Sequence, residues 1–267
     1  MSSYSEKVSD PYLKAALRFA ESEIPGFAIK YKPDSKIMWL ANRYARLFNP
    51  TFMTHFHTTL GSTMYLIGPE HLERGGKGFV DTVLHEATHM HDRREAGFLK
   101  YSAGYVMPQL IALLAAPLIA LSALLVLLMP NRLSAWIALV AGFIVSCGFW
   151  SWLVSPWMLL FLLPLVALAP WPSKGRTKWE RRGYQMSAAA EIWVYGRIVG
   201  RTPSAMSKHF TGWNYYRMCP DEPHVITFLR HDIEDIESGK VLDDPWFKKA
   251  YEALMTVKEA EAAEAPR

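Results

Sequence analysis

Hydrophobic and polar positions divide the chain into two amphipathic flanks and a long apolar block between them. The only charged side chain between positions 100 and 174 is Arg132. Residues 105–129 form an uncharged run that, at ~1.5 Å per helical residue, could cross a hydrocarbon core of about 30 Å. Residues 134–170 form a second apolar run, which is too long for one straight crossing and is interrupted by prolines. The pattern predicts a transmembrane helical hairpin over residues 101–173.

Positive charge is concentrated at the two outer ends of this block, whereas its predicted turn carries one arginine. The positively charged residues at the outer ends are Arg93, Arg94, Lys100, Lys174, Arg176, Lys178, Arg181 and Arg182. The positive-inside rule places both flanks in the cytoplasm. We therefore expect an integral protein of the cytoplasmic (inner) membrane, with the lipid bilayer as a partner. The alternative is an apolar hairpin buried in a soluble protein.

The flanks contain the periodicities of helices and of one strand. Asp10-Pro11 followed by apolar residues at helical spacing predicts a helix over residues 10–23. The run 58–67 alternates and is rich in β-forming residues, so it predicts a strand. Helical patterns without proline extend over residues 79–96 and 178–199. The last residues, 258–267, are rich in Ala and Glu and are predicted to be a frayed or disordered tail.

Composition excludes some classes of function. The formal net charge of +4 is small, and no basic stripe interleaved with aromatic residues is present, so no nucleic-acid partner is expected. The two cysteines, Cys147 and Cys219, form neither a disulfide framework nor a CxxC metal pair. This cysteine usage suits a reducing compartment.

The segment His85-Glu86-Ala87-Thr88-His89 carries the candidate chemistry. Residues four apart lie on one face of a helix, so His85 and His89 can bind one metal ion. A zinc ion lowers the pKa of its bound water, and Glu86 lies beside the histidines where it can take the proton. The segment predicts a zinc site with Glu86 as the catalytic base. The alternative is a surface helix with two incidental histidines.

A catalytic zinc ion needs a third protein ligand. His91 points away from the face of the metal ligands because it lies only two residues after His89. Asp92 and Glu95 stand where metzincins have Gly and His, so that class is excluded. The remaining option is a glutamate on a second helix. Two glutamates of the predicted helix over residues 178–199 are candidates, Glu180 and Glu191.

Residues 79–190 resemble integral-membrane gluzincins of the heat-shock membrane protease and CAAX prenyl protease type. Those proteins carry HExxH, a membrane hairpin and then a helix with Glu-x-x-Ala-Asp, and here Glu180-Arg181-Arg182-Gly183-Tyr184 follows the apolar block. The resemblance implies that Glu180 is the third zinc ligand. Tyr184 replaces the aspartate that orients a zinc histidine in the family. We therefore expect Asp92, one helical turn after His89, to take over that task.

Several other residues are weaker candidates. The predicted strand over residues 58–67 lies where gluzincins have an edge strand that pairs with substrate backbone, although a purely structural strand fits equally well. His55 and His57 could form a second metal pair, but surface histidines are the commoner case. Three downstream histidines could each stabilise an oxyanion, and the sequence selects none of them: His209, His224 and His231.

Together these features predict an α+β, mainly α, zincin-like metallopeptidase domain interrupted by a transmembrane helical hairpin. Its predicted parts are residues 1–100 with the HExxH helix, the hairpin at 101–173, residues 174–257 with the third-ligand helix, and a tail at 258–267. The predicted function is zinc-dependent hydrolysis of peptide bonds in a protein or peptide substrate at the cytoplasmic membrane face. The alternative is a non-catalytic membrane, virion or toxin-type binding protein that retains a zincin scaffold with structural zinc.

Overall fold

The fold is known from a computed structural model, which describes residues 3–45, 51–73, 75–106, 144, 172–212 and 217–264. This part of the chain is mainly helical, with a small three-stranded sheet. Its helices are α1 (Pro11–Glu23), α2 (Lys36–Ala45), α3 (Phe52–His55), α4 (Glu70–Glu73), α5 (Val80–Ala96), α6 (Phe98–Val106), α7 (Lys174–Tyr195), α8 (Pro203–Thr211), α9 (Glu222–Glu237) and α10 (Pro245–Glu264). Its strands are β1 (Ala28–Tyr31), β2 (Thr58–Leu60) and β3 (Thr63–Leu66).

The prediction of a fold interrupted by a transmembrane hairpin is contradicted. Within the described ranges, no helix combines the length and the apolar character that a membrane crossing requires. The two longest of these helices, α7 and α10, carry seven charged side chains each, and the apolar α6 has only 9 residues. The predicted integral-membrane localisation is corrected by the same finding. The apolar runs 105–129 and 134–170 themselves lie almost entirely outside the described residues.

The run predicted to be one strand is a hairpin of two strands. β2 pairs antiparallel with β3, and β1 pairs parallel with β3 on its other side, which gives the order β1-β3-β2. The turn includes Gly61, whose φ of 70° lies in the left-handed region that glycine adopts without strain. The sequence alternation continues through this turn, which is why the break was missed. The hairpin places β2 at the edge of the sheet, where it packs against α5.

Capping residues fix the helix ends, some of which differ from the prediction. The start of α1 is confirmed, since the Asp10 carboxylate accepts a hydrogen bond from the Leu13 amide at 2.8 Å. α7 begins earlier than predicted, because Ser173 caps it, and ends earlier, at the left-handed Gly196. α10 continues to Glu264, so most of the predicted tail is helical.

Within the described residues, a hydrophobic core joins the segments on either side of the apolar block. Its centre is the packing of α5 on α7, and α10 packs against both α1 and α7. Leu84 of α5 and Met186 of α7 are fully buried there. α10 is also tied to α5 by a polar contact, since the Trp246 indole donates to the Thr88 hydroxyl at 3.0 Å. Both predicted halves of the domain therefore position the two helices that carry the candidate site.

Candidate metal centre

Two histidine side chains of α5 converge on one point. The Nε2 atoms of His85 and His89 lie 3.0 Å apart, and their rings are nearly perpendicular, at 83°. The spacing of four residues places both rings on the face that α5 turns toward α7. The rings thus present two nitrogen atoms that one ion could contact together.

Glu180 of α7 completes the cluster. Its Oε2 atom lies 3.6 Å from Nε2 of His85 and 3.6 Å from Nε2 of His89, and its side chain is buried. A triangle with these sides has a point about 2.0 Å from all three atoms, which matches the bond lengths of zinc to His and carboxylate ligands. His85, His89 and Glu180 therefore form a cluster that could hold a metal ion.

Gly183, the small residue of the Glu-x-x-Gly pattern, lies against the ring of His85. A Cβ atom at this position would lie 2.8 Å from Cε1 and 2.9 Å from Nε2 of the His85 ring. Gly183 is three residues after Glu180, so it lies on nearly the same face of α7. The absence of a side chain allows α7 to approach α5 closely enough for Glu180 to reach both imidazoles.

The charges within the cluster are strongly coupled. Burial lowers the pKa of His89, but the Glu180 carboxylate raises it more, to about 9. Burial raises the pKa of Glu180, but the two imidazoles hold it well below its usual range. At neutral pH the ion-free cluster is thus a carboxylate next to an imidazolium. A metal ion must displace the proton of that imidazolium when it binds.

Ser187 orients the imidazole of His85. Its Oγ atom lies 3.2 Å from His85 Nδ1 and donates to the Asp81 carbonyl at 3.4 Å. This arrangement favours the tautomer in which Nδ1 carries the hydrogen and Nε2 is left for a metal. Sequence reasoning missed Ser187. Its position seven residues after Glu180, two turns along the same face of α7, was the available signal.

Tyr184, which stands in place of the family's aspartate, and Asp92, which we expect to orient a zinc histidine, both lie close to the cluster. The Tyr184 ring meets the edge of the His85 ring at a centroid distance of 4.9 Å, so it packs against that imidazole. Asp92 is buried and lies 2.8 Å from Nε of Arg182. Burial raises the pKa of Asp92 to about 6, while Arg182 and His89 oppose that rise. The negative charge of Asp92 in turn helps to raise the pKa of His89.

Glu86 lies on α5, and its buried side chain faces the edge strand β2. The hydroxyl of Thr59, in β2, donates to Oε2 of Glu86. The candidate base is thereby linked directly to β2, for which the sequence left open both substrate pairing and a purely structural role. Thr59 is a second residue that the sequence did not single out.

Glu191, the other candidate third ligand, binds backbone amides. Its carboxylate accepts hydrogen bonds from the amides of Val199, Gly200 and Arg201 at 2.7, 2.9 and 3.1 Å. This anchors the loop after α7, and the Arg201 side chain then pairs with Asp81 at 2.6 Å. Within the described residues, Glu180 alone of the two joins the histidine cluster.

The histidines close to α5 have separate environments. His91 stacks on Trp246 at a centroid distance of 4.2 Å. The ring of His57 packs against those of His71 and Phe79, whereas the exposed His55 contacts Thr54. The weak hypothesis of a second metal pair at His55 and His57 therefore gains no support.

Of the three downstream histidines, His209 lies nearest to the cluster. His224 and His231 are exposed on α9. The ring of His209 stacks on Tyr184 at 5.1 Å and 16°, and Tyr184 in turn contacts His85. Burial, followed by the charges of Arg201 and His85, lowers the pKa of His209 to about 4. His209 is therefore neutral at physiological pH.

Comparison with known proteins adds no relative to this picture. No protein-family model matches the chain, and no curated protein or solved structure matches it. The resemblance to membrane gluzincins accordingly remains a prediction from the residues and their order along the chain.

Proposed function

We propose that this chain is a zinc-dependent peptidase in which His85, His89 and Glu180 hold the ion and Glu86 is the general base. The observation that carries the proposal is the triangle of three ligand atoms with a carboxylate next in sequence to one of them. Two imidazoles and one carboxylate are a ligand set of catalytic zinc, which keeps one position for water. Structural zinc sites instead use four protein ligands, commonly cysteines. Among the described residues the cluster has three members, which favours catalysis over a structural role.

The residues around the ion would divide the chemistry of hydrolysis. When bound, zinc supplies a Lewis acid that polarises a carbonyl and lowers the pKa of water. Glu86 takes the proton from the attacking water and passes it to the leaving amine. Thr59 holds one oxygen of the Glu86 carboxylate, which leaves the other for proton transfer. Ser187 keeps the His85 ring in the tautomer that zinc requires.

The edge strand supports a peptide as the substrate. Among the described strands, β2 has a neighbour on one side only, and it contacts the candidate base through Thr59. An extended peptide can add to such an edge through main-chain hydrogen bonds. A scissile bond aligned in this way would lie beside Glu86.

His209 is the candidate for stabilising the oxyanion. A neutral imidazole keeps an N–H that can donate to negative charge as it develops on the carbonyl oxygen. The pKa of about 4 keeps His209 neutral, and its stacking on Tyr184 fixes its ring plane. His224 and His231 are exposed and have no such link to the cluster.

The decisive experiment is hydrolysis of casein or a quenched peptide library by the zinc-loaded protein. Glu86→Gln should keep zinc bound and lower hydrolysis at least about a hundredfold, since general acid–base catalysis contributes that much. Glu95→Gln is the matched control, because it changes an exposed glutamate on the same helix. Equal activity of wild type and Glu86→Gln would refute the proposal, as would no hydrolysis by the zinc-loaded wild type.

A further inference from the structure

Arg93 is a basic side chain of α5 that the proposed mechanism does not use. It follows Glu86 by seven residues, or two helical turns, so the two side chains lie on the same face of α5. The ring of Phe98, the first residue of α6, lies beside the guanidinium of Arg93, with 5.2 Å between the ring centroid and Cζ. A cation–π contact of this kind orients the guanidinium but does not neutralise its charge.

The hairpin of β2 and β3 meets this face of α5 at two points. The Thr59 hydroxyl donates to Glu86, and a Cβ atom at Gly61, just after β2, would lie 3.3 Å from Nη1 of Arg93. Thr59 and Gly61 are two residues apart, and such positions face the same side of an extended strand. Two extended residues span ~7 Å, so the guanidinium lies about two residues beyond Glu86 along the line of β2.

The charge and the apolar surface at this point are both available to a ligand. Three arginines elsewhere in the described chain each pair with an aspartate: Arg181, Arg182 and Arg201. Within the same ranges, no ion pair with a carboxylate includes Arg93. Phe98 is 62% exposed. An aromatic surface next to such an arginine suits a group that combines methylene carbons with a carboxylate.

We infer that Arg93 and Phe98 form a specificity subsite for an acidic side chain of the substrate, about two residues from the scissile bond. A peptide that adds to the edge of β2 runs along the strand, and so passes from Glu86 toward Arg93. Its carboxylate then pairs with the planar guanidinium, and its methylene carbons pack on the exposed ring. This inference rests on the proposed function, because it takes β2 as the strand that pairs with substrate.

Peptide binding tests the subsite without hydrolysis. The probes are end-blocked, fluorescently labelled octapeptide mixtures, each with Glu or Gln fixed at one position, and the protein is zinc-loaded Glu86→Gln. At one position or more, the Glu mixture should bind about fivefold more tightly than the Gln mixture. Arg93→Met in this background should abolish the difference. Arg94→Met is the matched control and should keep it, because that exposed arginine points instead toward the Glu23 carbonyl, at 3.4 Å. Equal binding of Glu and Gln mixtures at every position would overturn the inference, as would a difference that survives Arg93→Met.

Charge reversal separates recognition from a merely structural role of Arg93. Arg93→Glu should bind mixtures with Lys fixed at the selective position more tightly than those with Glu, because the new side chain attracts the opposite charge. The preference should also weaken as salt rises, since partly exposed charges are screened. An Arg93→Glu protein that still prefers Glu would overturn the inference.

Cleavage products place the acidic residue relative to the scissile bond. Mass spectrometry of peptides cleaved by the zinc-loaded wild type should show Glu enriched about two residues from the cleaved bond, on one side of it, and Arg93→Met should lose this enrichment. Cleavage without the enrichment would overturn the inference and leave the proposed function standing. If the wild type hydrolyses nothing, the proposed function fails, whereas the binding experiment still decides whether Arg93 recognises a carboxylate.

Discussion

Glu180 and Glu191 lie on one helix about 16 Å apart, and their carboxylates face entirely different partners. Glu180 faces two imidazoles, whereas Glu191 binds three consecutive backbone amides. Both side chains are buried, so neither has the solvent contact of an ordinary helix glutamate. The pair therefore provides an internal comparison between a metal ligand and a structural carboxylate.

Substitution of each glutamate by glutamine should separate the two roles. Glu180→Gln should weaken zinc binding at least about a hundredfold, more than the loss of an outer contact would. Glu191→Gln should leave zinc affinity within about twofold but destabilise the fold by about 2 kcal/mol, since hydrogen bonds to a charged acceptor are lost. Competition with a chromophoric chelator and thermal melting provide the two measurements. Equal loss of zinc in both variants would contradict the assignment.

Gly183→Ala should perturb the cluster although it adds one methyl group. The new Cβ would lie 2.8 Å from the His85 ring, so the ring or the whole of α7 must shift. We expect zinc affinity to fall about tenfold, even though alanine favours a helix over glycine by about 1 kcal/mol. Gly78→Ala is the control, because a Cβ there meets no atom within 4 Å. Unchanged zinc affinity in Gly183→Ala would show that the close approach is not required.

The affinity for zinc should rise with pH. Because Glu180 raises the pKa of His89 to about 9 in the ion-free protein, that imidazole is protonated at neutral pH. Zinc must displace this proton, so its apparent affinity should increase roughly tenfold per pH unit up to about pH 9 and then level off. Zinc titrations at several pH values would measure the slope. An affinity independent of pH between 7 and 9 would contradict the raised pKa.

The stability of the ion-free protein should fall as the pH rises, whereas the zinc affinity should increase. A pKa raised on folding means that the folded state binds the proton more tightly than the unfolded state does. The stabilisation from protonated His89 is therefore complete below the unfolded pKa of about 6.5 and is lost as the pH rises through about 9. Thermal melting in chelator from pH 6 to 9.5 should show a falling midpoint. His89→Gln should remove this contribution to the slope.

Ser187→Ala should weaken zinc binding without changing the ligands. It removes the partner of His85 Nδ1, and such outer contacts change metal affinity about 10–100-fold. Ser207→Ala is the control, since it removes another buried serine hydroxyl, on α8, that is bonded to Glu222. Chelator competition should show a loss for Ser187→Ala alone. Equal affinities in the two variants would mean that Ser187 does not orient His85.

The features that depend on short spacing were accessible from the sequence. The helix with His85 and His89 follows from apolar periodicity, and the start of α1 follows from Asp10-Pro11. The turn at Gly61 was missed because one glycine interrupts an otherwise continuous alternation. Short-range patterns define individual elements, but they do not locate a two-residue turn within a run of uniform pattern.

The contacts across the crossing of α5 and α7 could not be derived from local pattern. Glu180 was preferred to Glu191 through a resemblance, and Ser187 and Thr59 were not singled out at all. Their significance depends on which faces of two distant helices meet, and on how closely. The transmembrane hairpin was inferred from hydropathy alone, and the described helices do not bear it out.

The order of the three ligands along the chain determines when the cluster can be completed during synthesis. The histidines precede Glu180 by about 90 residues, so at 5–20 residues per second they leave the ribosome roughly 5–20 s before their third partner. During this interval α5 exposes two imidazoles and the apolar face that later packs against α7. A metal ion captured early would be held by two ligands only. Tight retention of metal, and any hydrolysis that depends on it, would begin only after the second half of the chain has emerged.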